Sequence, residues 1–173
     1  MSPDPTPPLA ATTALDRTEN AATEGVVAGL IGAGTVAVWF LLLDTFAGRP
    51  FYTPSLLGTA LFRRGVPLET AVTAPVSLEM VGMFTWVHAL VFIALGGAAS
   101  YLLTAVETRP SLGFGLVLLF VVFQAGFTVV AVVIAPALLA AVGWIPVLTA
   151  NLLAASAMAG YFAWRHRTMS IAP

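Results

Sequence analysis

The chain has 173 residues, of which 59% are hydrophobic and only 9% are charged, and its net charge is −1. A soluble domain of this size carries about 25% charged residues, so this composition indicates a protein whose solvent is a lipid bilayer. The lack of clustered positive charge argues against nucleic-acid binding, and the absence of cysteine excludes disulfides and thiolate metal sites.

The first segment, residues 1–24, is polar and rich in proline, threonine and alanine, which is typical of a disordered tail. It has no positively charged start, so we do not expect a cleavable signal peptide. The apolar run that follows, residues 25–46, exceeds the roughly 20 residues that a membrane span needs. We predict the first transmembrane helix there, with Gly25 and Gly29 spaced so that another helix can approach closely.

A polar turn follows this first span. The run ends near Asp44, and a Gly-Arg-Pro sequence comes directly after it. Gly48 permits a sharp exit from the helix, and Arg49 is biased out of the helical region because proline follows it. We interpret Asp44 and Arg49 as an ion pair at the membrane interface.

The loop between the first two spans, residues 47–77, contains a helix signal of its own. Thr53 is a suitable N-cap and Pro54 suits the first helical position, which predicts a short amphipathic helix over about 54–64 in the interface. Its predicted apolar face consists of Leu56, Leu57, Ala60 and Leu61. We expect three arginines of this loop to contact lipid headgroups or a partner protein: Arg49, Arg63 and Arg64.

Three further apolar runs predict transmembrane helices over about 78–103, 111–140 and 145–165. Ser77 is a plausible N-cap for the second span, and Pro136 predicts a kink or an early end in the third. Residues 166–173 form a short C-terminal tail. The runs are continuous rather than alternating, which favours helices over β-strands. The predicted fold is therefore an all-α integral membrane protein, with a four-helix transmembrane domain over residues 25–165.

Each predicted span carries one prominent polar side chain, and such groups are costly in a membrane and often functional. They are Asp44, His88, Gln124 and Asn151, and Trp39 is predicted to lie nearly level with His88. If they face inward, they form a polar site that opens towards the first loop. The alternative is that each one hydrogen-bonds a neighbouring helix and only helps the bundle to pack.

The motifs of common enzyme classes are absent, so no catalytic residue and no metal ligand is predicted. The first hypothesis is a non-catalytic accessory or scaffold subunit of a membrane complex, which associates with other membrane subunits or with itself through small-residue helix faces. The second is a small transporter or proton conduit that uses the four polar side chains. The third is a redox protein that holds a quinone or a haem near His88; beyond this, the cofactor is unknown.

The distribution of arginine predicts the orientation, because positive residues near span ends favour the cytoplasmic side. A four-span topology puts both termini on one side, where the sequence has Arg17, Arg109, Arg165 and Arg167. The opposite side has the three arginines of the first loop. We therefore expect both termini in the cytoplasm, and we expect the plasma (inner) membrane of a bacterium.

Overall fold

The structure is a computed structural model that describes residues 9–63, 65–108, 118, 121–122, 124–126, 128–129 and 140–166. The described part is all-α, with no strand in it. Three of its helices are long and apolar enough to cross a membrane: Glu19–Phe46, Leu78–Ala105 and Trp144–Arg165. They correspond to the first, second and fourth predicted spans. Most of the predicted third span, residues 111–140, lies outside the described residues, as does the kink predicted at Pro136.

Helix α1 runs over Leu9–Phe46 and is 38 residues long. It begins within the segment for which we predicted a disordered tail. That segment contains several alanines, the residue with the highest helix propensity, so a helix that starts in the membrane can continue outwards. At about 1.5 Å per residue, α1 measures about 57 Å and exceeds the roughly 30 Å apolar core of a bilayer.

The C-terminus of α1 is closed by a Schellman motif. Gly48 has a φ of 72°, the left-handed conformation that glycine adopts without steric cost. Its N–H donates to the Thr45 carbonyl at 3.0 Å, and the Arg49 N–H donates to the Asp44 carbonyl at 2.8 Å. These are the two hydrogen bonds that define the motif. The sharp exit expected at Gly48 is confirmed.

Two short helices follow in the loop. Helix α2 covers Tyr52–Phe62 and helix α3 covers Leu68–Thr73. The prediction of a helix over about 54–64 was close, but α2 begins earlier, and α3 was not predicted. Thr53 lies inside α2 and is not its N-cap, because a carboxylate from α1 satisfies the first turn instead.

Helix α2 packs against the start of α4, so its predicted apolar face is divided. Leu56 is 2% exposed, whereas Leu61 is 50% exposed. The Ser77 N–H donates to the Ser55 hydroxyl at 2.9 Å and ties the two helices together. A Cβ atom at Gly58 would overlap the Met80 carbonyl, so this contact requires glycine.

Helix α4 covers Leu78–Thr108 and helix α5 covers Trp144–Arg165. The Met80 N–H lies 3.4 Å from the Ser77 hydroxyl, in the geometry of the predicted N-cap. Helix α5 starts after Gly143, which has a φ of 84°. The short described pieces at 121–122, 124–126 and 128–129 are helical as well.

Helices α1 and α4 are antiparallel and approach each other through glycine. A Cβ at Gly25 would lie 2.6 Å from the Gly97 Cα, and one at Gly29 would lie 2.6 Å from the Ile93 Cα. A Cβ at Gly96 would overlap the Gly25 carbonyl. The GxxxG spacing in the first span therefore serves a contact within the chain, of the kind that small residues permit in membranes.

The core lies between α1, α4 and α5. Its buried residues are Ala33, Val36, Phe92, Ala150 and Ala154, and Trp39, Phe40, Ala89 and Met158 pack around them. Alanine predominates on α5, which allows the aromatic side chains of α1 and α4 to fill the space. This small core lies where α1, α4 and α5 meet, and Asn151 follows its buried Ala150 directly along α5.

Candidate functional site

Two of the predicted polar residues meet. The Asn151 Nδ2 amide donates to the Gln124 Oε1 at 2.7 Å, which joins α5 to the predicted third span. Both side chains are partly buried. An amide pair of this kind satisfies one donor and one acceptor in a medium without water, so the contact stabilises the association of two helices.

His88 and Asn151 lie on two helices that meet at the same glycine of α1. The Phe92 ring of α4 and the Met158 sulfur of α5 would both contact a Cβ placed at Gly32. His88 precedes Phe92 by four residues and Asn151 precedes Met158 by seven, so both lie nearer the starts of their helices than this contact.

The surroundings of His88 are aromatic. Its ring stacks on Phe84 at a centroid distance of 5.5 Å and contacts Phe92 at 4.8 Å. The Nε2 atom is buried and has no hydrogen-bond partner among the described residues. A buried donor or acceptor without a hydrogen bond destabilises the fold by about 1–3 kcal/mol. The Nε2 atom could therefore form a hydrogen bond with a polar group that comes close to it.

Trp39 packs against the core that α1, α4 and α5 form, and its depth relative to His88 stays a prediction. Its indole Nε1–H donates to the Pro146 carbonyl at 3.0 Å. This hydrogen bond links α1 to the first turn of α5.

Asp44 lies near the C-terminus of α1, and its side chain has a partner in α2. Its carboxylate accepts the Thr53 backbone N–H at 2.7 Å and the Thr53 hydroxyl at 2.7 Å. Asp44 is 6% exposed. A carboxylate at a helix N-terminus satisfies an orphan N–H and interacts favourably with the helix dipole, so Asp44 caps α2 from another helix.

The predicted ion pair between Asp44 and Arg49 is wrong. The carboxylate accepts hydrogen bonds from Thr53 of α2, whereas the guanidinium contacts two other residues of the loop. The Arg49 Cζ lies 3.7 Å from the ring centroid of Tyr52, and its Nη2 donates to the Val72 carbonyl at 3.3 Å. The Tyr52 hydroxyl donates to the same carbonyl at 3.3 Å. The role of Tyr52 was not predicted, although a tyrosine three residues after an arginine is a signal that suggests stacking.

The other loop arginines differ from Arg49. Arg63 lies 3.7 Å from Glu79, and both side chains are exposed, so this ion pair contributes little to stability. Arg64 lies outside the described residues. In the described part of the loop, Arg49 makes no ion pair.

The opposite face of the bundle has an ionic cluster of its own. Glu24 of α1 accepts from the Arg165 Nε at 2.9 Å and lies 3.0 Å from the His166 Nε2. The Glu24 side chain is 14% exposed. This cluster joins the two helices at the end of the span that is remote from the first loop.

A shallow groove of about 440 Å³ runs along α1 and is lined by Gly34, Thr35, Val38, Trp39, Leu42 and Leu153. Its lining is mainly apolar, and none of the four polar candidates belongs to it. No group of three or more potential metal ligands occurs in the described ranges.

No family model, no curated protein and no solved structure matches this chain.

Proposed function

We propose that the protein is a non-catalytic accessory or scaffold subunit of a membrane complex. The observation that carries this proposal is the use of its polar side chains. Asn151 binds Gln124, and Asp44 caps α2, so three of the four candidate groups stabilise helix contacts. A catalytic or transport site needs polar groups that remain available to a substrate.

The outer surface supports the same proposal. Large aromatic side chains on the described spans are exposed and available to lipid or to other membrane helices: Trp86, Tyr101, Trp144 and Trp164. The glycines of the α1–α4 contact are already used within the chain. A partner would therefore contact these aromatic faces rather than the GxxxG positions.

The proposal includes the membrane topology. The third span, over about 111–140, completes a bundle of four transmembrane helices, and α2 lies in the headgroup layer beside the start of α4. The excess of arginine at the terminal side supports cytoplasmic termini in a bacterial inner membrane. Single engineered cysteines at Thr18 and at Glu69 test this orientation, because the sequence has no other cysteine. A membrane-impermeant maleimide added to intact cells should label Glu69→Cys and not Thr18→Cys.

The subunit proposal is tested at native expression level. A chromosomally tagged chain, extracted in a mild detergent, is separated by size and compared with the same chain produced alone. We expect the native sample to elute as a larger assembly, with defined partners that chemical cross-linking links to the tagged chain. A monodisperse 18.0 kDa monomer without such cross-links would contradict the proposal.

A small conduit for protons or solutes is the second candidate, and one observation favours it. The His88 Nε2 is buried and has no hydrogen-bond partner in the described part of the chain. A pH-sensitive dye inside proteoliposomes measures proton flux directly. Flux that disappears in His88→Leu and persists in Trp86→Leu, an exposed residue of the same helix, would favour the conduit over the subunit.

A further inference from the structure

The loop between α1 and α4 contains an arginine, Arg49, that uses only one of its N–H donors among the described residues. The guanidinium of Arg49 stacks on Tyr52 at 3.7 Å and donates one N–H to the Val72 carbonyl. A guanidinium has five N–H donors, so four have no acceptor among the described residues. We propose that Arg49 binds the phosphate of an anionic membrane phospholipid.

The position of Arg49 along the chain places it at headgroup depth. The first membrane-spanning segment ends at Phe46, and Arg49 follows in the turn. Apolar side chains around this end of the bundle remain exposed, including Phe46 at 87% and Leu78 at 73%. Such side chains are stable next to acyl chains, so the turn lies at the boundary of the apolar layer, where lipid phosphates are found.

The geometry of the arginine suits a phosphate. A planar guanidinium presents paired N–H groups that match two phosphate oxygens, and these charge-assisted bonds are stronger than neutral ones. The contact of Cζ with the Tyr52 ring and the hydrogen bond from Nη2 to the Val72 carbonyl restrict the positions that the guanidinium can adopt. Less side-chain entropy is therefore lost when the guanidinium binds a ligand.

The surrounding charges favour an anion at Arg49 over one elsewhere in the loop. Asp44 is buried and its carboxylate is directed at Thr53, so it does not neutralise the guanidinium. Arg63 is already within 3.7 Å of Glu79. Glu69 of α3 is exposed and makes no ion pair with Arg49. In the described part of this loop, Arg63 has an acidic partner and Arg49 has none.

The experiment uses the purified full chain and native mass spectrometry. Phosphatidylglycerol or phosphatidylcholine is titrated into the detergent-solubilised protein, and bound lipids are counted for the wild type and for Arg49→Gln. We expect the wild type to retain phosphatidylglycerol in preference to phosphatidylcholine. We expect Arg49→Gln to bind phosphatidylglycerol about five- to tenfold more weakly, because one guanidinium contact to an anionic headgroup is lost.

The matched control is Arg63→Gln, which removes an arginine from the same face, where Glu79 already pairs with it. Its affinity for phosphatidylglycerol should change by less than about twofold. Equal loss in the two variants, or no loss in Arg49→Gln, would overturn the proposal. If Arg49→Gln does not fold, Arg49→Lys replaces it. Lysine keeps the charge but loses the planar fork, and unchanged binding in that variant would overturn the proposal too.

A third titration distinguishes a lipid from free phosphate. Inorganic phosphate at millimolar concentration should leave the bound phosphatidylglycerol in place, because it has no acyl chains to anchor it at the turn. Displacement of the lipid by inorganic phosphate would contradict a lipid site. These measurements use the isolated chain, so their result does not depend on whether a partner subunit exists.

Discussion

The contact between α1 and α4 leads to the sharpest prediction, for Gly96→Ala. The added Cβ would overlap the Gly25 carbonyl and would lie 2.6 Å from the Gly29 backbone nitrogen. These atoms belong to the backbone and cannot move away by rotation about a side-chain bond. The two helices must therefore separate by about 1 Å, and each affected contact loses a quarter to a half of its dispersion attraction. Overpacking of this kind costs about 1–3 kcal/mol.

The next residue provides the matched control. A Cβ at Gly97 meets nothing within 4 Å, so Gly97→Ala adds a methyl group to the same helix in open space. Alanine is favoured over glycine in a helix by about 1 kcal/mol, and this gain is common to both variants. The free energies of unfolding of the two variants should therefore differ by about 1–3 kcal/mol, with Gly97→Ala the more stable.

The assay is reversible unfolding of the detergent-solubilised protein, followed by far-ultraviolet circular dichroism. We expect Gly97→Ala to match or exceed the wild type, and we expect Gly96→Ala to unfold at a lower temperature or at a lower fraction of denaturing detergent. Equal midpoints for the two variants would mean that α1 and α4 do not meet at Gly96. The reasoning about the α1–α4 contact would then be refuted.

Three other substitutions test the polar contacts by the same unfolding assay. Asp44→Ala should lower the free energy of unfolding by about 1.5–3 kcal/mol, because the charged acceptor of two Thr53 donors is removed; Thr53→Val, which removes the hydroxyl alone, should cost less. In a double-mutant cycle, Gln124→Leu and Asn151→Leu should show a coupling energy of about 0.6 kcal/mol, with about 1.7 kcal/mol as the upper end. His88→Leu should leave stability unchanged or raise it, because its buried Nε2 has no partner in the described part of the chain.

Each of these predictions has a contrary outcome. If Asp44→Ala unfolds like the wild type, the carboxylate does not cap α2. If the two amide substitutions add without coupling, the hydrogen bond between α5 and the predicted third span contributes nothing. A strong destabilisation by His88→Leu would show that the Nε2 has a partner in the folded protein, and the polar site would then need to include that partner.

Much of the fold was predictable because a membrane imposes simple rules. Continuous apolar runs of sufficient length must form helices, since backbone groups have no water to bind. This rule located Glu19–Phe46, Leu78–Ala105 and Trp144–Arg165 to within a few residues at most ends. The start of α1 at Leu9 was not predicted. Polar residues do not by themselves end a helix, and residues with a high helix propensity allow it to continue beyond the apolar run.

Glycine and serine signals were informative about helix ends and contacts. Gly48 ends α1 by a motif whose two hydrogen bonds lie within six residues, so local sequence suffices to predict it. Ser77 precedes α4 in the position expected of an N-cap. The small residues Gly25 and Gly29 indicated close approach, but their spacing could not say whether the approaching helix came from this chain or from another.

The polar candidates were identifiable as residue types, and the tertiary structure decided what they do. His88, Gln124 and Asn151 stand out in any reading of the apolar runs, because polar groups are rare there. The bond between Gln124 and Asn151 joins residues 27 positions apart, and no local pattern contains it. Asp44 was expected to pair with Arg49 five residues away, yet Thr53 offers its carboxylate both a backbone N–H and a hydroxyl.

The sequence by itself therefore determined the helical class of this protein, its three helices that are long and apolar enough to cross a membrane, and the list of its scarce polar groups, since these follow from composition and from the length of apolar runs. Only the tertiary structure decided the partners of those groups. The turn at Gly48 sends the chain back so that Tyr52 and Val72 meet Arg49. Hydrogen bonds between distant residues depend on how helices cross, and that geometry is set by packing across the whole bundle.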